Sequence, residues 1–179
     1  QSVGMDYLEP FTFNGVRCLI GAIALLPCIW FFNRGKEKEN KVNDKNAKKD
    51  LIKGGIACGI LLFAASSLQQ IGLVYTAAGK AGFITAFYIV LVPVFGIFLH
   101  KNIGWKVWTA VAIALAGLYF LCITETFTIG VGDIYVFLCA LIFSVHILVV
   151  DHYAPKVDGV KLSCIQFLVA GIVSIPFML

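Results

Sequence analysis

Charge is scarce in this chain. Only 13% of its 179 residues are Asp, Glu, Lys or Arg, against roughly 25% in a soluble domain. Hydrophobic residues make up 60% and the mean hydropathy is +0.91, so a water-soluble globule is excluded and an all-α integral membrane protein is expected. Catalytic constellations are missing too. There is no G-x-S-x-G, no H-E-x-x-H and no phosphate-cradling glycine motif, and every Asp and Glu falls in a loop or at the end of an apolar run. An enzyme is not expected, and no cofactor is implied. Cys18, Cys28, Cys58, Cys122, Cys139 and Cys164 each lie inside an apolar run, with no C-x-x-C and no His at ligand spacing. They read as small buried hydrophobes, and neither a disulfide framework nor a metal site is supported. The net charge of +4 would raise nucleic acid as a partner, but the basic residues sit in short loops between apolar runs, where they control topology. No nucleic-acid partner is expected.

One stretch is strongly charged. Residues 33–53 carry Arg34, Lys36, Lys38, Lys41, Lys45, Lys48, Lys49 and Lys53 against Glu37, Glu39, Asp44 and Asp50. So little apolar surface cannot offset the entropy of ordering, which predicts a mobile, solvated loop. On either side the character inverts. A bilayer core takes about 20 apolar residues of helix, with about 17 as a lower limit. That rule predicts six spans, at 11–32, 54–75, 82–99, 107–123, 134–150 and 162–179.

Orientation follows from the basic residues, which are retained on the cytoplasmic side. With 33–53 inside, Lys101, Lys106, Lys156 and Lys161 also fall inside. Of the 14 basic residues, only Lys80, in an outer hairpin, and Arg17, within a span, are left over. The expected protein is a polytopic helical bundle whose partners are the lipid bilayer and a small-molecule substrate; a second copy of the chain is a candidate partner.

The chain also resembles itself. Sliding it by 149 positions lays residues 9–27 on 158–176, so that Glu9 meets Asp158, Leu19 meets Leu168, Ile23 meets Ile172 and Pro27 meets Pro176. The second segment comes five spans after the first, an odd step, so the two run in opposite directions and form an inverted-topology pair. A five-helix unit implies ten spans in a complete molecule. The chain opens on Gln1 with no leader pattern before the first span, and the expectation is a fragment holding spans two to seven. Residues 1–124 would be the first repeat without its first helix, and 125–179 the start of the second.

Packing and polar signals complete the reading. Gly55-x-x-x-Gly59, Ala78-x-x-x-Gly82, Ala110-x-x-x-Ala114 and Ala112-x-x-x-Ala116 place small residues one above another, which allows close helix contact. Pro93 removes a backbone donor in the middle of the third span and marks a kink or hinge. Polar groups inside spans normally face a cavity or a partner helix. Arg17 lies about 9 Å into its span, where it would bind an anionic substrate group or snorkel to the interface. Gln69 and Gln70, with Ser66 one turn away and Tyr88 on the next helix, form a candidate polar wall, the alternative being hydrogen bonding between helices. Gln166 joins the candidates because the 149-residue offset places it where Arg17 sits. Ser144 is a further candidate, although it and His146 are about 200° apart round their helix. His146 would relay protons or serve as an interfacial group. Lys80 would attract anions or reach into water.

Several runs carry a family likeness. These are LEPFTFNGVRCLIGAIALLP near the start, GLVYTAAGKAGFITAFYIVLVPVFGIFL followed by a basic turn and WKVWTAVAIALAGLYFL, and GDIYVFLCALIFSVHILVVDHYAPKVDGVKLSCIQFLVAGI near the end. Together they resemble the EamA-type transporters of the drug/metabolite transporter superfamily. Pro93, the A-L-A-G-L run at 114–118 and Arg17 after a proline-containing start are the clearest points. The resemblance implies a bacterial inner-membrane carrier of ten helices in two inverted repeats, exporting metabolites or amino-acid-like compounds. One departure stands out: where the family often has a Glu after its fourth span, this chain reads HKNIGWK.

Overall fold

The computed structural model describes residues 10–36, 45–99, 104–122 and 130–177, and its elements are helices. They are α1 (Pro10–Lys36), α2 (Lys45–Tyr75), α3 (Ala78–Ala86), α4 (Tyr88–Phe98), α5 (Trp105–Cys122), α6 (Val131–Tyr153) and α7 (Gly159–Ser174), the last continued by a 3-10 turn at Ile175–Phe177. Among the described residues, five passages are long and apolar enough to cross a membrane: Phe11–Phe31, Ala47–Tyr75, Ala78–Phe98, Val131–Tyr153 and Gly159–Phe177. α5, expected as a full span, has 18 residues, and its apolar stretch covers Trp105–Gly117. The all-α polytopic class holds.

The charged stretch 33–53 is not a loop throughout. α1 runs on through Lys36 and α2 already begins at Lys45, while 37–44 lie outside the described residues. Composition argues against burial of these turns, not against helix. Once an apolar segment has nucleated a helix, adding Lys and Ala residues costs little.

The third passage also departs from expectation. It breaks at Phe87, six positions before Pro93, which lies inside α4. The Phe87 N–H donates to the Ile84 carbonyl at 3.1 Å, and the Phe87 carbonyl accepts from Val90 at 3.0 Å and Leu91 at 3.2 Å. A proline strains the turn before it, because the Ile89 carbonyl loses its donor and meets the ring. The change of step at Phe87 lies just upstream of that turn.

The chain divides into two compact units, one holding the described residues up to Phe63 and from Val149 onward, the other Ala64–Leu148. In the first, α1 and α7 pack antiparallel. Near one end the rings of Phe11 and Phe177 lie 5.7 Å apart. A Cβ on Gly171 would stand 2.7 Å from Leu19, and the Cys164 thiol reaches the Ala22 carbonyl at 3.7 Å. The early part of α2 runs parallel to α7, with Gly55 against Ile165, Gly59 against Val169 and Phe63 5.5 Å from Phe177. Gly55-x-x-x-Gly59 thus makes the close contact its spacing suggests. The α3 and α5 pairs do not: a Cβ added at Gly82 would meet nothing within 4 Å among the described residues, Ala112 and Ala116 are exposed, and so is Ala110. Small residues permit an approach only where a neighbouring helix arrives to use it.

Candidate functional site

The most tightly built polar cluster lies in the second unit, where α2 ends and α3 and α6 begin. Gly130 caps α6 and Asp133 sits in its first turn, 6% exposed. Its carboxylate accepts from Lys80 Nζ at 2.5 Å, the Thr76 hydroxyl at 3.0 Å and the Gly130 N–H at 2.8 Å. The bond back to the capping N–H and the favourable helix dipole both stabilise an acid at this position. Two glycines make the cluster possible: a Cβ on Gly132 would stand 2.9 Å from the Gly72 carbonyl and 2.8 Å from Tyr75 Cβ. Lys80 therefore does not reach freely into water as expected; it is held by Asp133, and the two side chains are 15% and 7% exposed. Asp133 lies at the very start of the passage Val131–Tyr153, at the end of an apolar run as the acids of this chain are expected to be. A lone acid directly after a glycine looks like a loop residue until its partner, 53 positions earlier, is known.

The other candidates of this unit separate into two groups. Gln69 donates to the Thr85 hydroxyl at 3.4 Å, a bond between helices, and Thr85 was missed by sequence reasoning. Ser66 is buried, Gln70 is 0% exposed, and neither end of the Gln70 amide nor the Ser67 hydroxyl has a partner among the described residues. Tyr88 stacks obliquely near Phe143, with centroids 6.4 Å apart. With Ile89, Val92, Pro93, Val107 and Val111 it lines a largely apolar cavity of about 410 Å³. Ser144 is buried and donates to the Ala140 carbonyl at 2.7 Å, a bond within its own helix that leaves the hydroxyl little to offer a ligand. His146 stands edge-on to Phe143 at 6.4 Å.

The Gln69–Thr85 bond predicts a modest coupling. A double-mutant cycle with Gln69→Ala and Thr85→Ala, read by unfolding in detergent, should give about 0.6 kcal/mol and no more than ~1.7.

The remaining candidates belong to the first unit. Arg17 is exposed, and its Nη2 donates to Asn14 Oδ1 at 3.0 Å. Asn14 is wholly buried and was missed; a polar residue one turn before an intramembrane arginine was the available signal. Gln166 is half-buried, and its carbonyl borders Gly59, 2.9 Å from where a Cβ would stand. Cys18, Cys58, Cys139 and Cys164 are buried as expected, whereas Cys28 is exposed. It lies on the unpacked stripe of α1, where an apolar surroundings need not be protein. The side chain of Cys122 lies outside the described residues.

Comparison with known proteins agrees with this architecture. Residues 1–123 match the EamA-like transporter family. An uncharacterized transporter of Archaeoglobus fulgidus is 33% identical over 178 residues, 98% of this chain and 51% of that relative. The chain thus spans about half the length of the curated relative it matches. No solved structure matches. The family match covers most of the chain, the likeness to the archaeal relative runs almost from end to end, and the passages that carry both are apolar helices of membrane length: this chain belongs to the EamA-like transporter family.

Proposed function

We propose that this chain forms part of a secondary carrier that moves small metabolites or amino-acid-like compounds out of the cell by alternating access. Residues 33–53 face the cytoplasm in this reading. Residues 1–124 belong to a first repeat and 125–179 open a second, inverted one. The observation that carries it is the antiparallel packing of α1 against α7, the two helices whose sequences align at an offset of 149. Repeats of opposite direction packed on one another are the arrangement in which one half rocks against the other around a midplane site. Arg17, Gln69, Tyr88, Gln166, Ser66 and Ser144 remain the proposed substrate contacts and Pro93 the proposed hinge. Arg17 and Tyr88 are the best placed of them: Arg17 is exposed and keeps further donors beside its bond to Asn14, and Tyr88 lines the cavity.

A non-transporting scaffold in an envelope complex is the second reading, and the Gln69–Thr85 bond favours it at that position. The test is flux. The full-length protein in proteoliposomes should show saturable uptake or release of at least one member of a broad metabolite panel. Solute movement no faster than in protein-free vesicles across that panel would favour the scaffold.

A further inference from the structure

Arg17 and Asn14 share one turn of α1, and what they offer is one-sided. A guanidinium carries donors only, so the Asn14 atom facing Arg17 Nη2 at 3.0 Å must be the oxygen, which fixes the amide orientation and turns Nδ2 away. The Cys18 thiol points at the same oxygen, at 3.9 Å. Asn14 is 0% exposed, and its Nδ2 has no acceptor among the described residues. Every polar hydrogen the pair has left is therefore a donor.

The surroundings raise the stakes. Arg17 sits within the passage Phe11–Phe31, about 10 Å along the helix from its first residue. It lies on the exposed stripe that also holds Ile20 and Phe31. A cation at that depth is costly unless it meets a counter-charge or a water-filled space. Among the described residues the group that holds it is a neutral amide, which orients the guanidinium without neutralising it. The positions 149 further on are Ser163 and Gln166, so α7 has no second cationic copy of the pair.

We propose that Arg17, positioned by Asn14, binds an oxyanion, a carboxylate or phosphate group, on the exposed stripe of α1. The planar fork suits both groups, which it takes two oxygens at a time. Arg17 touches the ligand; Asn14 is the positioning residue. The oxyanion has two sources, the headgroup of an anionic lipid or a free solute. The inference rests on the carrier reading only in calling such a solute cargo, because binding is measured without flux.

The test uses the full-length protein in nanodiscs of phosphatidylcholine, with or without phosphatidylglycerol. Its Tm is followed in inorganic phosphate or acetate against chloride at equal ionic strength. The expected result is a rise of several degrees. A rise with phosphatidylglycerol assigns the lipid headgroup, and a rise with phosphate or acetate in phosphatidylcholine alone assigns the solute. Arg17→Gln should abolish either response. Asn14→Asp keeps a group in contact with Arg17 but supplies a fixed carboxylate, so it should abolish the response while leaving Tm in chloride equal or higher. That second variant keeps the test decisive if Arg17→Gln does not fold. A wild-type protein that responds to these anions and lipids no more than to chloride overturns the proposal, as does Asn14→Asp responding like wild type.

Discussion

Replacing Lys80 by methionine will destabilise the protein by about 3–5 kcal/mol, the usual cost of removing one partner of a shielded ion pair. The loss should fall at the low end of that range, since Asp133 keeps the Thr76 hydroxyl and the Gly130 N–H as donors and the pair sits at the ends of its helices. Asp133→Leu is the harsher single change: it leaves an ammonium only 15% exposed without its carboxylate and strips the start of α6 of its capping acceptor. The double variant Lys80→Met with Asp133→Leu should recover much of the loss, because the uncompensated charge is gone. Unfolding by SDS titration in mixed micelles measures all three. A Lys80→Met protein within about 0.5 kcal/mol of wild type would mean the pair behaves as an exposed surface bridge.

Gly59→Leu should cost about 1–3 kcal/mol or more. A Cβ at this position would already stand 2.6 Å from Val169 Cβ and 2.9 Å from the Gln166 carbonyl. The second of these is backbone, so α2 and α7 must separate. In a bilayer no hydrophobic gain offsets that, since lipid is as apolar as leucine. Gly82→Ala is the control. A Cβ added at Gly82 would meet nothing within 4 Å among the described residues, and alanine should stabilise α3 by roughly 0.5–1 kcal/mol through helix propensity alone. The same SDS titration decides whether the two glycines differ in sign.

These predictions trace what could be read before the fold was known. Apolar run length located the membrane passages because burial in hydrocarbon demands it. Gly55 and Gly59 are legible as a packing face, but at the same spacing a Cβ added to Gly82 would meet nothing within 4 Å among the described residues, and no local pattern says which face a neighbour will approach. The helical ends at Lys36 and Lys45 are not legible in the charged stretch because composition reports burial more directly than backbone state. The break at Phe87 was placed at Pro93, since a proline announces strain but not the residue that absorbs it. The site was less legible than the fold. Lys80 and Asp133 are 53 positions apart and each looks like an ordinary turn residue alone. Arg17 is visible as a costly intramembrane charge, whereas its holder, Asn14, is legible only through its place one turn before that arginine, a weak signal for a single amide in an apolar run.

The account depends most on the opposed directions of α1 and α7. Cross-linking in native membranes, on a background without the six native cysteines, tests it most directly, with a short bis-maleimide bridging pairs of introduced cysteines. Phe11→Cys with Phe177→Cys should cross-link efficiently, as their rings are 5.7 Å apart, while Phe11→Cys with Gly159→Cys should not. Efficient bridging of Phe11 to Gly159, with none to Phe177, would place the two helices in the same direction and contradict the inverted arrangement.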